Sequence, residues 1–142
     1  MKKGFTLIEL LVVIAIIGIL ASVVLIGFPN ATKKAKDSRV ISAIGQARTV
    51  MTYIGANEGS YTTFSGIHPD MVILWAEITN NDAGARGIQG GTEPQGACIY
   101  SQLNAKATYW YCADSTGVAG TVTGTDPVTT CHAAGWTCPT LD

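Results

Sequence analysis

Residues 5–28 form an apolar run interrupted by one ionisable side chain, Glu9. At about 1.5 Å of rise per residue, helical residues 10–28 reach roughly 28 Å, near the hydrocarbon thickness of a bilayer. A charge near the centre of such a span costs about 2.5–3.5 kcal/mol on insertion scales, so something must offset Glu9. A positive start and an apolar stretch also describe a secretory signal. This stretch is too long for an ordinary one, and Ala21-Ser22-Val23 resembles a small-residue cleavage site only faintly. The pattern predicts an anchor that stays with the chain.

Beyond Pro29 the pattern changes. Ile41, Ile44, Ala47, Met51 and Ile54 recur at three- and four-residue spacing, with Lys34, Asp37, Arg39, Gln46 and Arg48 between them. This predicts one long helix from Phe5 to about Ile54, apolar all round at first and amphipathic afterwards. Pro29 removes a backbone donor and is expected to kink it. Gly55 and Asn57-Glu58-Gly59 are expected to close it.

Residues 61–96 look irregular apart from one short helix, with His68 as its cap and Pro69 at its first position. Met71, Leu74, Trp75 and Ile78 share a face of it. Residues 84–91 read as a surface loop: they are glycine-rich, but lack the Lys-Ser/Thr ending and the strand–loop–helix setting of a phosphate cradle. Residues 97–103 and 107–113 then alternate as two strands about Asn104-Ala105-Lys106. That register sets Cys98 opposite Cys112, Ile99 opposite Tyr111 and Tyr100 opposite Trp110. Residues 121–123 are a third strand candidate and 128–131 a weaker fourth. The fold class is α+β, a long N-terminal helix packed on a small antiparallel sheet.

Length suits one modest domain plus the anchor, at 142 residues. Charged residues make up only 13% and the net charge is −1, so no basic footprint for nucleic acid is present. The anchor is flanked by Lys2 and Lys3 on one side and by Lys33, Lys34, Lys36 and Arg39 on the other. The bias of Lys and Arg toward cytoplasmic loops therefore leaves its orientation open. The cysteines favour an oxidising compartment for the C-terminal part: Cys98, Cys112, Cys131 and Cys138 form an even set confined to the last third. Disulfides suit them better than zinc, because no Cys-x-x-Cys knuckle is present. Cys98–Cys112 with Cys131–Cys138 is the preferred of three connectivities, since both loops are local.

Gly4-Phe5-Thr6-Leu7-Ile8-Glu9, followed by the apolar run, closely resembles the N-terminal signature of type IV pilins and pseudopilins. The resemblance covers about the first thirty residues. It implies that a prepilin peptidase cuts between Gly4 and Phe5, removing residues 1–4 as a leader. Phe5 then becomes an N-methylated N-terminus, and Glu9 pairs with the Phe5 amine of a neighbouring subunit. The implied organisation is a leader at 1–4, a membrane or filament-core helix at 5–28, an amphipathic helix at 29–56 and a head at 57–142. Pro29 lies a few residues further from the processing site than the bending proline usual in the family.

The expected function is that of a structural filament subunit and not of an enzyme, with no cofactor or metal. Its expected partners are further copies and other pilins, the prepilin peptidase, and assembly machinery in the cytoplasmic membrane. The expected location is that membrane as a single-pass precursor, then an extracellular pilus. The alternatives are a pseudopilin of a secretion or DNA-uptake system, forming a periplasmic pseudopilus, and a membrane-tethered binding domain that never polymerises. His68 and His132 have no recognisable catalytic partners. Asp114 and Asp126 sit in Thr/Gly-rich loops without the spacing of a calcium loop.

Overall fold

The computed structural model describes residues 4–64, 68–91, 96–124, 126–133 and 135–139, with backbone alone for 26, 27, 132 and 133. Residues 1–3 of the expected leader and the His132 side chain lie outside that description. The chain divides into two compact units, Met1–Thr32 and Lys33–Asp142. The helix α1, Leu7–Glu58, belongs to both and contains Pro29.

In the first unit α1 packs on nothing. Leu7–Leu25 is long and apolar enough to cross a membrane, and none of it is buried. Water would not tolerate that surface as it stands, with residues such as Leu7, Ile19 and Leu25 more than half exposed.

The second unit holds the head. Val40, Ala43, Ile44, Ala47, Met51 and Ile54 form the buried stripe of α1, with Ile41 at its margin. Each fully buried Ile or Met contributes about 1.5–3 kcal/mol relative to exposure. The helix runs past Gly55 and ends where Gly59 turns left-handed at φ 64°, a conformation glycine adopts without a Cβ penalty. The second helix, α2 (Pro69–Asn81), starts at Pro69 and adds Met71 and Ile78 to the core.

Four antiparallel strands follow as a meander: β1 (Arg86–Gly90), β2 (Ala97–Gln102), β3 (Tyr109–Asp114) and β4 (Ala119–Thr123). Ala97, Ile99, Leu103 and Ala113 join the core with α1 and α2. Cys98, Tyr100, Trp110, Cys112 and Val122 lie on the opposite face, beside Cys131 of the short helix α3 (Val128–Ala133). The central strands are covered on both faces, so their period-2 alternation separates two buried clusters instead of core from solvent.

Three expectations are corrected here. The expected surface loop at 84–91 contains β1, an edge strand paired to β2 from Arg86↔Ser101 to Gly90↔Ala97. Its glycines hide it from propensity, yet Gly87 has a steric purpose: a Cβ there would run into the ring of its cross-strand partner Tyr100. The weaker fourth strand candidate is α3. Asp126 accepts a hydrogen bond from the Val128 N–H at 2.9 Å and the Pro127 carbonyl accepts from the Cys131 N–H at 2.9 Å, a helix start that outweighs the β-propensity of Val-Thr-Thr. The β2–β3 register is displaced by two residues: Cys98 faces Asp114, and Tyr100 faces Cys112.

Candidate functional site

Two arrangements carry the chemistry, one at the N-terminus and one in the head. Gly4 and Phe5 precede α1 in exposed, non-helical backbone, with Phe5 83% exposed. A side chain at Gly4 would meet nothing within 4 Å, so no contact among the described residues demands glycine there.

Thr6 caps α1. The Glu9 carboxylate accepts from the Thr6 backbone N–H at 2.9 Å and from its hydroxyl at 2.7 Å, while the Glu9 N–H reaches back to the Thr6 Oγ1 at 3.4 Å. This reciprocal capping satisfies donors that the helix leaves orphaned at its start. It also gives Glu9 local partners on an otherwise apolar helix, and the carboxylate favours the positive end of the helix dipole. Sequence reasoning placed Glu9 but missed Thr6. The signal was present as Thr-x-x-Glu at capping-box spacing.

In the head, the disulfides join Cys98 to Cys131 and Cys112 to Cys138. The expected pairing of Cys98 with Cys112 and Cys131 with Cys138 is therefore corrected. In the displaced register Cys98 and Cys112 are diagonal and not opposite, and each is free to tie a different point of the C-terminal segment to the sheet. Both bridges span 5.8 Å between Cα atoms, within the ordinary range.

Asp114, 1% exposed, organises the same region. One carboxylate oxygen accepts from the Thr116 N–H and hydroxyl and from the Val118 N–H, shaping the β3–β4 turn. The other accepts from the Cys138 N–H at 2.7 Å, fixing the backbone beside the second disulfide. Both residues considered for calcium thus have structural work, Asp114 here and Asp126 in accepting the first N–H of α3. Among the described residues, no group of three or more His, Cys, Asp or Glu side chains is placed to hold a metal. His68 stands at the N-cap of α2 but gives no side-chain capping bond; its ring is edge-on to Tyr53, and its Nδ1 lies 3.8 Å from Asp70. On the disulfide face, burial pushes the Tyr100 phenol above its ordinary pKa, and the negative charge of Asp126 adds to the shift.

Residues 1–25 match the family profile described as "Prokaryotic N-terminal methylation motif". The type IV major fimbrial protein FimA of Dichelobacter nodosus is 49% identical over 51 residues, which cover 36% of this chain and 33% of that protein. Similarity to the type IV major pilin protein of Neisseria gonorrhoeae runs over 141 residues at 26% identity, covering 91% of this chain and 65% of the relative. The fimbrial protein EcpC of Eikenella corrodens is 30% identical over 132 residues, covering 80% of this chain and 84% of its own length. No solved structure matches the chain. An N-terminal methylation motif, an apolar helix continuing into an α+β head, and similarity to fimbrial proteins along most of the chain place this protein in the type IV pilin family.

Proposed function

We propose that this chain is a structural subunit of a type IV pilus-like filament, assembled through its N-terminal helix. The observation that carries the reading is the exposed apolar surface of Leu7–Leu25 with one carboxylate, Glu9, at its start. Such a helix needs lipid before assembly and other protein after it. Burial in a bundle of like helices serves the second state, and a charge pair there fixes which neighbour meets which.

Cleavage between Gly4 and Phe5 would place a new amine one helical turn from Glu9. Within one chain, Glu9 already has Thr6 as a partner; in a stack of parallel helices it would meet the Phe5 amine of the next copy. The free space around Gly4 supports cleavage, since a glycine that no contact among the described residues demands suits a requirement imposed by a peptidase's binding cleft. N-methylation of Phe5 would leave the amine cationic. Pro29 would be the point at which α1 bends. The precursor would lie in the cytoplasmic membrane with its head on the exported side, where the two disulfides would persist. The named relatives are fimbrial proteins, which favours a pilus over a secretion pseudopilus.

Two measurements test the reading. Intact mass of the native chain should show loss of Met1–Gly4, one added methyl group and two disulfides. Glu9→Ala should remain in the membrane but be missing from filaments sheared from cells. A native chain that begins at Met1, or filaments that incorporate Glu9→Ala as well as wild type, would reject it.

A further inference from the structure

Three of the four cations that follow the anchor, Lys33, Lys34 and Lys36, have no ion-pair partner among the described residues. Lys33, Lys34 and Lys36 lie within one turn of α1, and all three are exposed. Asp37, the one carboxylate among them in sequence, is buried, and its oxygens accept hydrogen bonds from Asn104 and Ala105. Arg39 is 3.8 Å from Glu77. Among the described residues, no carboxylate lies within ion-pair distance of the three lysines.

Their placement on the helix says what they suit. At about 100° per residue, they fan over roughly 160° of the helix circumference. That arc is under half the circumference, and nothing within the described head neutralises it, so it presents three cations together to whatever lies at that level of the helix. The apolar residues end at Phe28, and Lys33 follows five residues later, a rise of about 7.5 Å. That is close to the depth of the headgroup layer, about 5–8 Å on each side of the hydrocarbon. Cations on the exported side also run against the usual bias of Lys and Arg toward the cytoplasm, so their presence calls for a use.

We propose that Lys33, Lys34 and Lys36 form a half-collar that binds the headgroups of anionic phospholipids where the chain leaves the membrane. The inference rests on the reading of residues 5–28 as a membrane anchor. The half-collar holds the precursor at a fixed depth, and these contacts must be released when a subunit leaves the membrane for a filament.

The test uses the full-length chain in mixed phosphatidylcholine–phosphatidylglycerol vesicles containing a trace of spin-labelled lipid with either headgroup. Immobilised phosphatidylglycerol should exceed phosphatidylcholine by about fivefold or more, the preference expected of a single lysine near an anionic surface. The preference should shrink in high salt. The triple variant Lys33→Gln, Lys34→Gln, Lys36→Gln should still immobilise lipid but lose most of the preference; Lys2 and Lys3, unchanged in it, set the remainder. The corresponding triple arginine variant should keep the preference. An equal preference in wild type and glutamine variant would overturn the half-collar while leaving the anchor standing. Filament loss in the glutamine variant without a change in lipid preference would assign the lysines to carboxylates of a neighbouring copy, and also overturn it. No immobilised lipid with any variant would remove the anchor itself.

Discussion

Asp37 and Asn104 are 67 residues apart in the chain, yet the Asp37 carboxylate accepts the Asn104 backbone N–H at 2.6 Å. The same carboxylate takes the Asn104 side-chain amide at 2.9 Å and the Ala105 N–H at 2.9 Å. The Asn104 amide also donates to the Asn81 carbonyl, so α1, the end of α2 and the β2–β3 turn meet at one point. Hydrogen bonds to a charged group contribute about 1.5–3 kcal/mol, and removing one partner strands the others. Asp37→Ala should therefore destabilise the head by about 2–4 kcal/mol, and Asp37→Asn by less because one acceptor remains. Denaturant unfolding of the full chain in detergent, followed by Trp fluorescence, measures both. An Asp37→Ala head as stable as wild type would remove this junction from the account.

The disulfide pairing gives a second test. Peptide mapping without reduction should recover Cys98 linked to Cys131 and Cys112 linked to Cys138. The bridges close loops with sequence separations of 33 and 26. The chain-entropy model assigns about 3.5–4 kcal/mol to each. Replacing Cys131 and Cys98 together by Ala should lower stability by an amount of that order. Recovery of a Cys98–Cys112 peptide would restore the tighter hairpin register.

That register shows where the sequence was legible and where it was not. The long helix, the Pro69 helix start and the α+β class follow from spacing that local physics dictates. The strands β2 and β3 were also readable, and a displacement of two residues keeps every side chain on its expected face. The exact register was not readable, because Asp37 takes the Asn104 and Ala105 N–H groups and opens the turn, so that Leu103 donates to the Tyr109 carbonyl at 2.8 Å. Nothing near residue 104 announces a partner at residue 37. β1 was hidden for another reason: Gly87 and Gly90 carry no β-propensity, and the strand exists because β2 offers it an edge and Tyr100 a ring to lie under. At the N-terminus Glu9 stood out as a charge in grease, while Thr6 passed as an ordinary residue until its capping geometry was seen.

Gly87 is correspondingly intolerant. The Tyr100 ring is 3% exposed and sits 6.1 Å from the Trp110 ring, so it has little room to yield to a methyl group. Gly87→Ala should destabilise the head by about 1–3 kcal/mol, as overpacking does elsewhere. Adding Tyr100→Leu should recover part of the loss, because the clash is with the ring. The four variants of that double-mutant cycle, unfolded under identical conditions, decide it, and full additivity would show that the ring is not the obstacle.

Tyr100 also gives the fold an alkaline limit. Its phenol is held neutral by burial and, secondarily, by Asp126, so its folded pKa lies above the unfolded value. The associated stability is fully present below the unfolded value of about 10 and is lost as pH rises through the folded one. Tyr100→Phe cannot ionise and should flatten the fall in stability above about pH 10. Comparing wild type and Tyr100→Phe by denaturation on both sides of that pH tests the sign, and parallel curves would refute it.

Thr6 separates helix capping from assembly. Removing a threonine cap typically costs about 1 kcal/mol of helix stability. Thr6→Ala loses the hydroxyl that donates to Glu9 and accepts from the Glu9 N–H, but keeps the Thr6-position backbone N–H that the carboxylate also uses. Glu9→Ala loses the carboxylate altogether. If Glu9 acts in filaments only as a helix cap, the two variants should be equally deficient. If its carboxylate meets the amine of a neighbouring subunit, Thr6→Ala should fray the first turn yet still enter filaments, while Glu9→Ala should not. Amide exchange at residues 7–10 in micelles reports the fraying, and the amount of subunit in sheared filaments reports assembly. Equal loss of both variants from filaments would leave Glu9 with no role beyond the helix it starts.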